Sequence, residues 1–215
     1  MDPSTTPLLD LDRLAQAKTE LEPFHFLVVP GLLRREAIDA VIADFPKIEG
    51  PRNHKVGSAP HGPAFERLLQ ELASPELARL LGEKLGYPGL EKLPQNVSIR
   101  TECEASDGNV HTDHWSKCVT LLVYPNHGWD AEGGRLRFLR SKDVDDFAAE
   151  VAPSDGTMVA FRRDDRSFHG HLPHVGTRRV VQVSWLQSSR LARLAQGVAR
   201  RTTHAIKRLG LHPDH

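Results

Sequence analysis

From residue 96 onward the sequence is a run of short apolar segments cut by turns. The segments Asn96–Glu104, Lys117–Tyr124, Arg135–Leu139, Gly156–Arg162 and Arg179–Leu186 are rich in β-branched and aromatic residues. Ser106-Asp107-Gly108, Pro125-Asn126, Glu132-Gly133-Gly134 and Pro153-Ser154-Asp155-Gly156 separate them with residues that suit tight turns. Strands this short cannot bury their apolar faces one at a time, so the pattern predicts a β-sandwich or barrel. The preceding part reads differently. Helices are expected over Leu9–Leu21, Leu32–Phe45, Pro63–Ala73 and Pro75–Leu85, with one strand at Phe24–Val29. Ser74 before Pro75 is a predicted N-cap followed by proline at the first helical position. The chain therefore divides into helical support over residues 1–95, a β core over 96–187 and a basic helix and tail over 190–215, with residues 1–189 as one domain.

Charge is distributed unevenly. The chain is formally neutral, yet nine Lys and Arg and no acid lie between Arg166 and Pro213. Leu191, Leu194, Val198, Ala205, Ile206 and Leu209 fall near one face of the helix expected over Ser189–Leu209, with arginines and lysines around the rest. Such a helix suits an anionic membrane surface through 190–209, and equally suits packing on the domain with its charges in water. No nucleic-acid partner is expected. Met1-Asp2-Pro3 begins neither a basic nor an apolar leader, and two cysteines, Cys103 and Cys118, cannot form a disulfide scaffold. A cytoplasmic protein, peripheral to the membrane if the tail binds lipid, is the expectation.

Histidine is the unusual residue: there are 12, and six fall between His111 and His174. In His111-Thr112-Asp113 an imidazole and a carboxylate stand two residues apart, so an extended backbone turns both to one side. With one later histidine they would make a two-His, one-carboxylate face with open positions, a set suited to Fe(II) and oxygen chemistry. Alone the motif says little, because about one His-x-Asp is expected by chance at this composition, and His212-Pro213-Asp214 is a second. That second match lies in the basic tail with no strand around it.

Order lends the first match its weight. After His111 and Asp113 come a strand, the Gly133-Gly134 turn, the turn and strand Pro153–Phe161, then Ser167-Phe168-His169-Gly170-His171, then Thr177-Arg178-Arg179 and a strand ending in Trp185. This succession resembles the Fe(II)/2-oxoglutarate-dependent oxygenases, in particular bacterial members of the prolyl 4-hydroxylase type, well over residues 96–187 and weakly before them. The resemblance implies a fold that is mainly β with N-terminal helices: a double-stranded β-helix (jelly-roll) core, helices packed on one sheet and a C-terminal helix. It implies Fe(II) held by His111, Asp113 and His169, with 2-oxoglutarate and O2 as cosubstrates and ascorbate as a candidate stimulant. His169 fits the place of the distal ligand, ahead of His171 and His174, because it follows an apolar strand and precedes the arginines by nine and ten residues. The reaction implied is oxidative decarboxylation of 2-oxoglutarate coupled to hydroxylation of a C–H bond.

The far carboxylate of 2-oxoglutarate needs a buried cation, and an arginine fork suits it. Arg178 and Arg179 compete. Strand alternation groups Arg179 with Val181, Val183 and Trp185, the more apolar set, and this points to Arg179 as the inward residue. Tyr124, before Pro125-Asn126, matches the place of a tyrosine that assists in similar enzymes. Arg100, Trp115 and Arg162, with His114, Arg163 and Arg166, are expected near the mouth, where they would suit an anionic substrate such as a sugar, glycan or lipid intermediate. A peptidyl or prolyl hydroxylase is the alternative. A cupin-type metal enzyme would not need an inward arginine on the last strand, and a non-catalytic barrel would have lost one of the three ligands.

Overall fold

The computed structural model describes residues 6–48 and 50–187. In chain order the elements are α1 (Leu11–Gln16), β1 (Phe26–Val29), α2 (Arg35–Ala43), β2 (His54–Lys55), α3 (Pro63–Leu72), α4 (Pro75–Lys84) and a 3-10 turn at Leu90–Lys92. β3 (Gln95–Cys103), β4 (Lys117–Val123), β5 (Leu136–Leu139), β6 (Phe147–Val151), β7 (Met158–Arg162), β8 (His169–Gly170) and β9 (Gly176–Leu186) follow. They form a six-stranded sheet in the order β1-β7-β4-β9-β3-β2 and a three-stranded sheet in the order β6-β5-β8, with all pairings antiparallel. The fold is mainly β, a jelly roll with helices on one sheet. Among the described residues no helix is long and apolar enough to cross a membrane. The helix expected over Ser189–Leu209 lies outside the described residues.

The large sheet is buried on both faces, and strand alternation separates two cores. Val119, Leu121 and Val123 of β4, Met158 and Ala160 of β7, and Val181, Val183 and Trp185 of β9 pack with Phe65, Leu68, Leu72, Leu77 and Leu81 of α3 and α4. The alternate positions turn the other way. Tyr124, Val159, Phe161 and Val180 meet Leu136, Phe138 and Val151 of the small sheet, together with Phe24 and Phe26. Each fully buried Leu or Phe is worth about 1.5–3 kcal/mol, so a sheet with two dry faces is the main source of stability. The second core is largely aromatic. Phe138 stands edge-on to Phe24 at 5.7 Å and to Phe161 at 5.6 Å, and lies 4.5 Å from Phe26.

Local departures from the sequence expectations have tertiary causes. α1 stops at Gln16, short of Leu21, because Ala17 turns extended and its carbonyl is taken by Lys84, while Glu20 pairs with Phe26. α2 begins at Arg35 because Leu32 and Leu33 are fully buried, with the Leu32 carbonyl and Leu33 amide bound to Asp10 and Gly156. Ser74 does cap α4, accepting from the Leu77 amide at 3.2 Å. β6 carries no strong strand signal in Phe-Ala-Ala-Glu-Val, and is fixed by pairing with β5, where Arg137 meets Glu150 at 2.6 Å.

Because Phe138 links the β1 side of the core to β7, Phe138→Ala is expected to lower unfolding stability by about 3–5 kcal/mol. Urea or guanidinium unfolding followed by circular dichroism checks this.

Candidate metal and cosubstrate site

The site begins with two backbone hydrogen bonds. The His111 amide donates to the His169 carbonyl at 3.0 Å, and the His169 amide donates to the His111 carbonyl at 2.9 Å. Residues that exchange both bonds in an antiparallel pair carry their side chains on one face, and the two rings lie 4.5 Å apart. Each ring is then oriented by a carbonyl two residues earlier: His111 Nδ1 lies 2.8 Å from Asn109 O, and His169 Nδ1 lies 2.9 Å from Ser167 O. A carbonyl only accepts, so Nδ1 carries the proton and Nε2 keeps its lone pair for a ligand. Phe161 lies against His169, with ring centroids 4.5 Å apart and planes tilted by 51°, and ties the ring to the aromatic core.

Asp113 completes the cluster. One ligand atom from each of His111, Asp113 and His169 lies within 4.8 Å of the others. Asp113 and His169 are buried and His111 is exposed, so the cluster opens on the His111 side. Both carboxylate oxygens are engaged: Oδ1 by Lys117 Nζ and Oδ2 by the Thr120 hydroxyl, each at 2.5 Å. Burial alone would raise the Asp113 pKa, but the charge of Lys117, followed by those of the histidines, holds it well below the usual carboxylate range. Burial, reinforced by the neighbouring His111 charge, pushes His169 down to about 4. At neutral pH the cluster is thus a carboxylate beside a neutral His169 imidazole.

On β9 the inward arginine is Arg178, not Arg179. β9 alternates as expected, but its apolar face is turned to the helices, so the face toward the small sheet is the more polar one, with Arg178, Val180, Gln182 and Ser184. Arg178 is 5% exposed, and its guanidinium lies 5.2 Å from the ring centroid of the fully buried Tyr124. It donates to Gly134 O at 2.8 Å and to the Tyr124 hydroxyl at 3.5 Å, and neither partner is an anion. Burial raises the Tyr124 pKa and keeps the phenol protonated. Arg179 is half-buried, and its backbone amide and carbonyl are gripped by the Asn126 side chain, both at 2.9 Å. His171, two residues past His169, packs on Gly108, where a Cβ would stand 2.4 Å from its ring and the φ of +96° also favours glycine. Burial, then the charge of Arg178, pushes His171 down to about 4.

The residues expected at the mouth divide. Trp115 is 43% exposed and lies against His114. Arg100 is committed to buried Asp107 at 2.7 Å and to Asn53 at 3.0 Å. Arg162 is turned away from the cluster: it shares the helix-facing side of β7 with Met158 and Ala160, bonds the Gly86 carbonyl and lies over Tyr87. Its neighbour Arg163 reaches the site instead, donating to the Asp113 carbonyl at 3.2 Å. Arg163 is thus where the sequence expectation put it, whereas Lys117, Thr120 and Asn126 carry no site signal in the sequence. Pro125-Asn126 signalled a turn, but nothing in the pattern signalled that the Asn side chain would pin β9.

Residues 101–187 match the family model described as the 2OG-Fe(II) oxygenase superfamily. That segment contains the cluster, Tyr124 and Arg178. It is a 2-oxoglutarate/Fe(II) oxygenase domain. The fold is similar to that of a Pseudomonas putida prolyl-4-hydroxylase, with a TM-score of 0.57 and 18% identity over 83% of this chain and 91% of that one. It is also similar to the viral collagen prolyl hydroxylase of Paramecium bursaria Chlorella virus-1, solved as a 2OG complex, with a TM-score of 0.52 and 14% identity over 75% of this chain and 96% of that one. Identities this low speak for the fold alone. No curated protein sequence matches the chain.

The oxygenase family uses Fe(II), 2-oxoglutarate and O2, and the donor set fits the metal: two imidazole nitrogens with fixed tautomers and one carboxylate, open on one side. His111→Ala, Asp113→Ala and His169→Ala are each expected to abolish Fe(II)-dependent succinate formation from 2-oxoglutarate, whereas His212→Ala and Asp214→Ala leave it intact. Succinate assay of the five variants checks this.

Proposed function

We propose that the protein is a hydroxylase in which His111, Asp113 and His169 hold Fe(II) and Arg178, assisted by Tyr124, holds the far carboxylate of 2-oxoglutarate. The observation that carries this reading is the buried Arg178 guanidinium, whose hydrogen-bonding partners are a carbonyl and a phenol. A buried cation is costly without an anion, and a cosubstrate carboxylate supplies one. Iron with O2 supplies the oxidising chemistry when bound. The protein's part is to orient the imidazoles through Asn109 and Ser167, keep Asp113 ionised, and keep the Tyr124 side chain dry.

The substrate class we favour is anionic. Lys117 and Arg163 both contact Asp113, and, after burial, it is their charges that lower the pKa of the neighbouring His114. Two cations therefore stand on that side of the cluster, Lys117 paired with Asp113 and Arg163 with the exposed Asp165, and the exposed Trp115 lies against His114. A prolyl or peptidyl hydroxylase is the second reading, favoured by the names of the structural neighbours. Succinate release with a panel of phosphorylated and carboxylated metabolites, beside proline-containing peptides, discriminates the two.

Arg178→Ala is expected to raise the KM for 2-oxoglutarate by about 30-fold or more, the consequence of a loss of roughly 2–5 kcal/mol when a buried charge loses its partner. Arg179→Ala should change it by less than about fivefold, as befits a contribution under about 1 kcal/mol. Steady-state kinetics on the two variants decides between them, and the reverse order would return the role to Arg179.

A further inference from the structure

The grip on Asp113 carries a further inference, which rests on the reading of the His111–Asp113–His169 cluster as the metal site. A carboxylate that serves a metal through one oxygen has one other oxygen to spare. Here each oxygen already has a donor, Lys117 on Oδ1 and Thr120 on Oδ2. The two donors differ in kind. A hydroxyl can bond one lone pair of an oxygen whose other lone pair faces a cation. An ammonium brings a full positive charge into the same buried space and repels a divalent ion there.

The position of Lys117 is itself built. On a regular strand Lys117 and Thr120 would point to opposite faces. The β4–β9 register shifts between Lys117 and Val119, and bulges of this kind re-aim side chains beside sites. Both residues consequently reach the same carboxylate, with the Lys117 side chain only 16% exposed. Thr120 is itself held, with its hydroxyl 3.5 Å from that of Ser184, which accepts from Gln182 at 3.2 Å.

We propose that Lys117 is a positioning residue that competes with the metal for Asp113 and weakens the hold of the site on it, while Thr120 orients the same carboxylate for binding. Lys117 neutralises Asp113 whenever the metal is away, so the metal exchanges without leaving a buried charge unpaired.

The test is calorimetric titration of the full chain with Co(II). Lys117→Gln, which keeps a donor and removes the charge, should bind Co(II) about tenfold more tightly. Lys117→Arg, which keeps the charge, should stay within about threefold of the parent. Thr120→Val should bind about tenfold more weakly, the usual effect of losing an outer hydrogen bond to a ligand. A purely structural role for Lys117 predicts weaker binding on its loss, and unchanged or weaker binding in folded Lys117→Gln overturns the proposal. A second measurement needs no variant: reductive methylation of Lys117 in the unaltered chain should speed up when Zn(II) is added, and an unchanged rate also overturns it. Absence of Co(II) binding by the parent chain would instead remove the reading of the cluster as a metal site. Binding by the parent without tightening in Lys117→Gln removes only the competition.

Discussion

The exchange of backbone hydrogen bonds between His111 and His169 is the constraint on which the site depends. It joins a segment before β4 to the two-residue strand β8, whose other edge pairs with β5. Two residues 58 positions apart in sequence thereby present their rings on one face at a separation set by strand geometry. Asp113 then needs only the period of an extended chain to join them. The backbone fixes the direction of the two imidazoles, the i−2 carbonyls fix their tautomers, and Phe161 closes one side. No long or flexible side chain is asked to find its own place.

The large sheet makes this possible by being buried twice. Its outer face is covered by α3 and α4, and that face takes the most apolar residues of β4, β7 and β9. The inner face is released from supplying most of the core and can carry Thr120, Tyr124, Arg178 and Ser184. A single sheet packed on one side could not hold so many polar groups without losing its hydrophobic contacts. The hydroxyls on the inner face bond within it, Thr120 with Ser184 and Tyr124 with Arg178, whereas the Arg178 guanidinium has a carbonyl and a phenol but no anion against it.

Much of this could be read from the sequence. The strand-rich half, the helices at α3 and α4 with their Ser74 cap, and the His-x-Asp motif with a histidine 58 residues on all follow from local pattern. Arg178 against Arg179 did not, and the reason is instructive. Alternation separates two faces but does not say which is the inside. In a sheet packed on helices the most apolar face belongs to the helix layer, so the functional face is the poorer one in Val and Trp. Lys117 escaped notice because a bulge breaks the very alternation used to place it. Arg162 does not reach the mouth because the period-two rule puts it in register with Ala160 on the helix-facing side, while its neighbour Arg163, leaving the strand, turns toward Asp113. β6 and β8 were missed because one has Ala and Glu where strands favour branched residues, and the other is too short to show a period.

The most direct test of the account is anomalous diffraction from crystals grown with Mn(II) and 2-oxoglutarate without O2. A manganese peak is expected, bounded by His111 Nε2, Asp113 and His169 Nε2, with the far carboxylate of 2-oxoglutarate against the Arg178 guanidinium and the Tyr124 hydroxyl. A metal peak away from these three residues, or a cosubstrate carboxylate seated elsewhere with Arg178 paired to a protein acid, would contradict it.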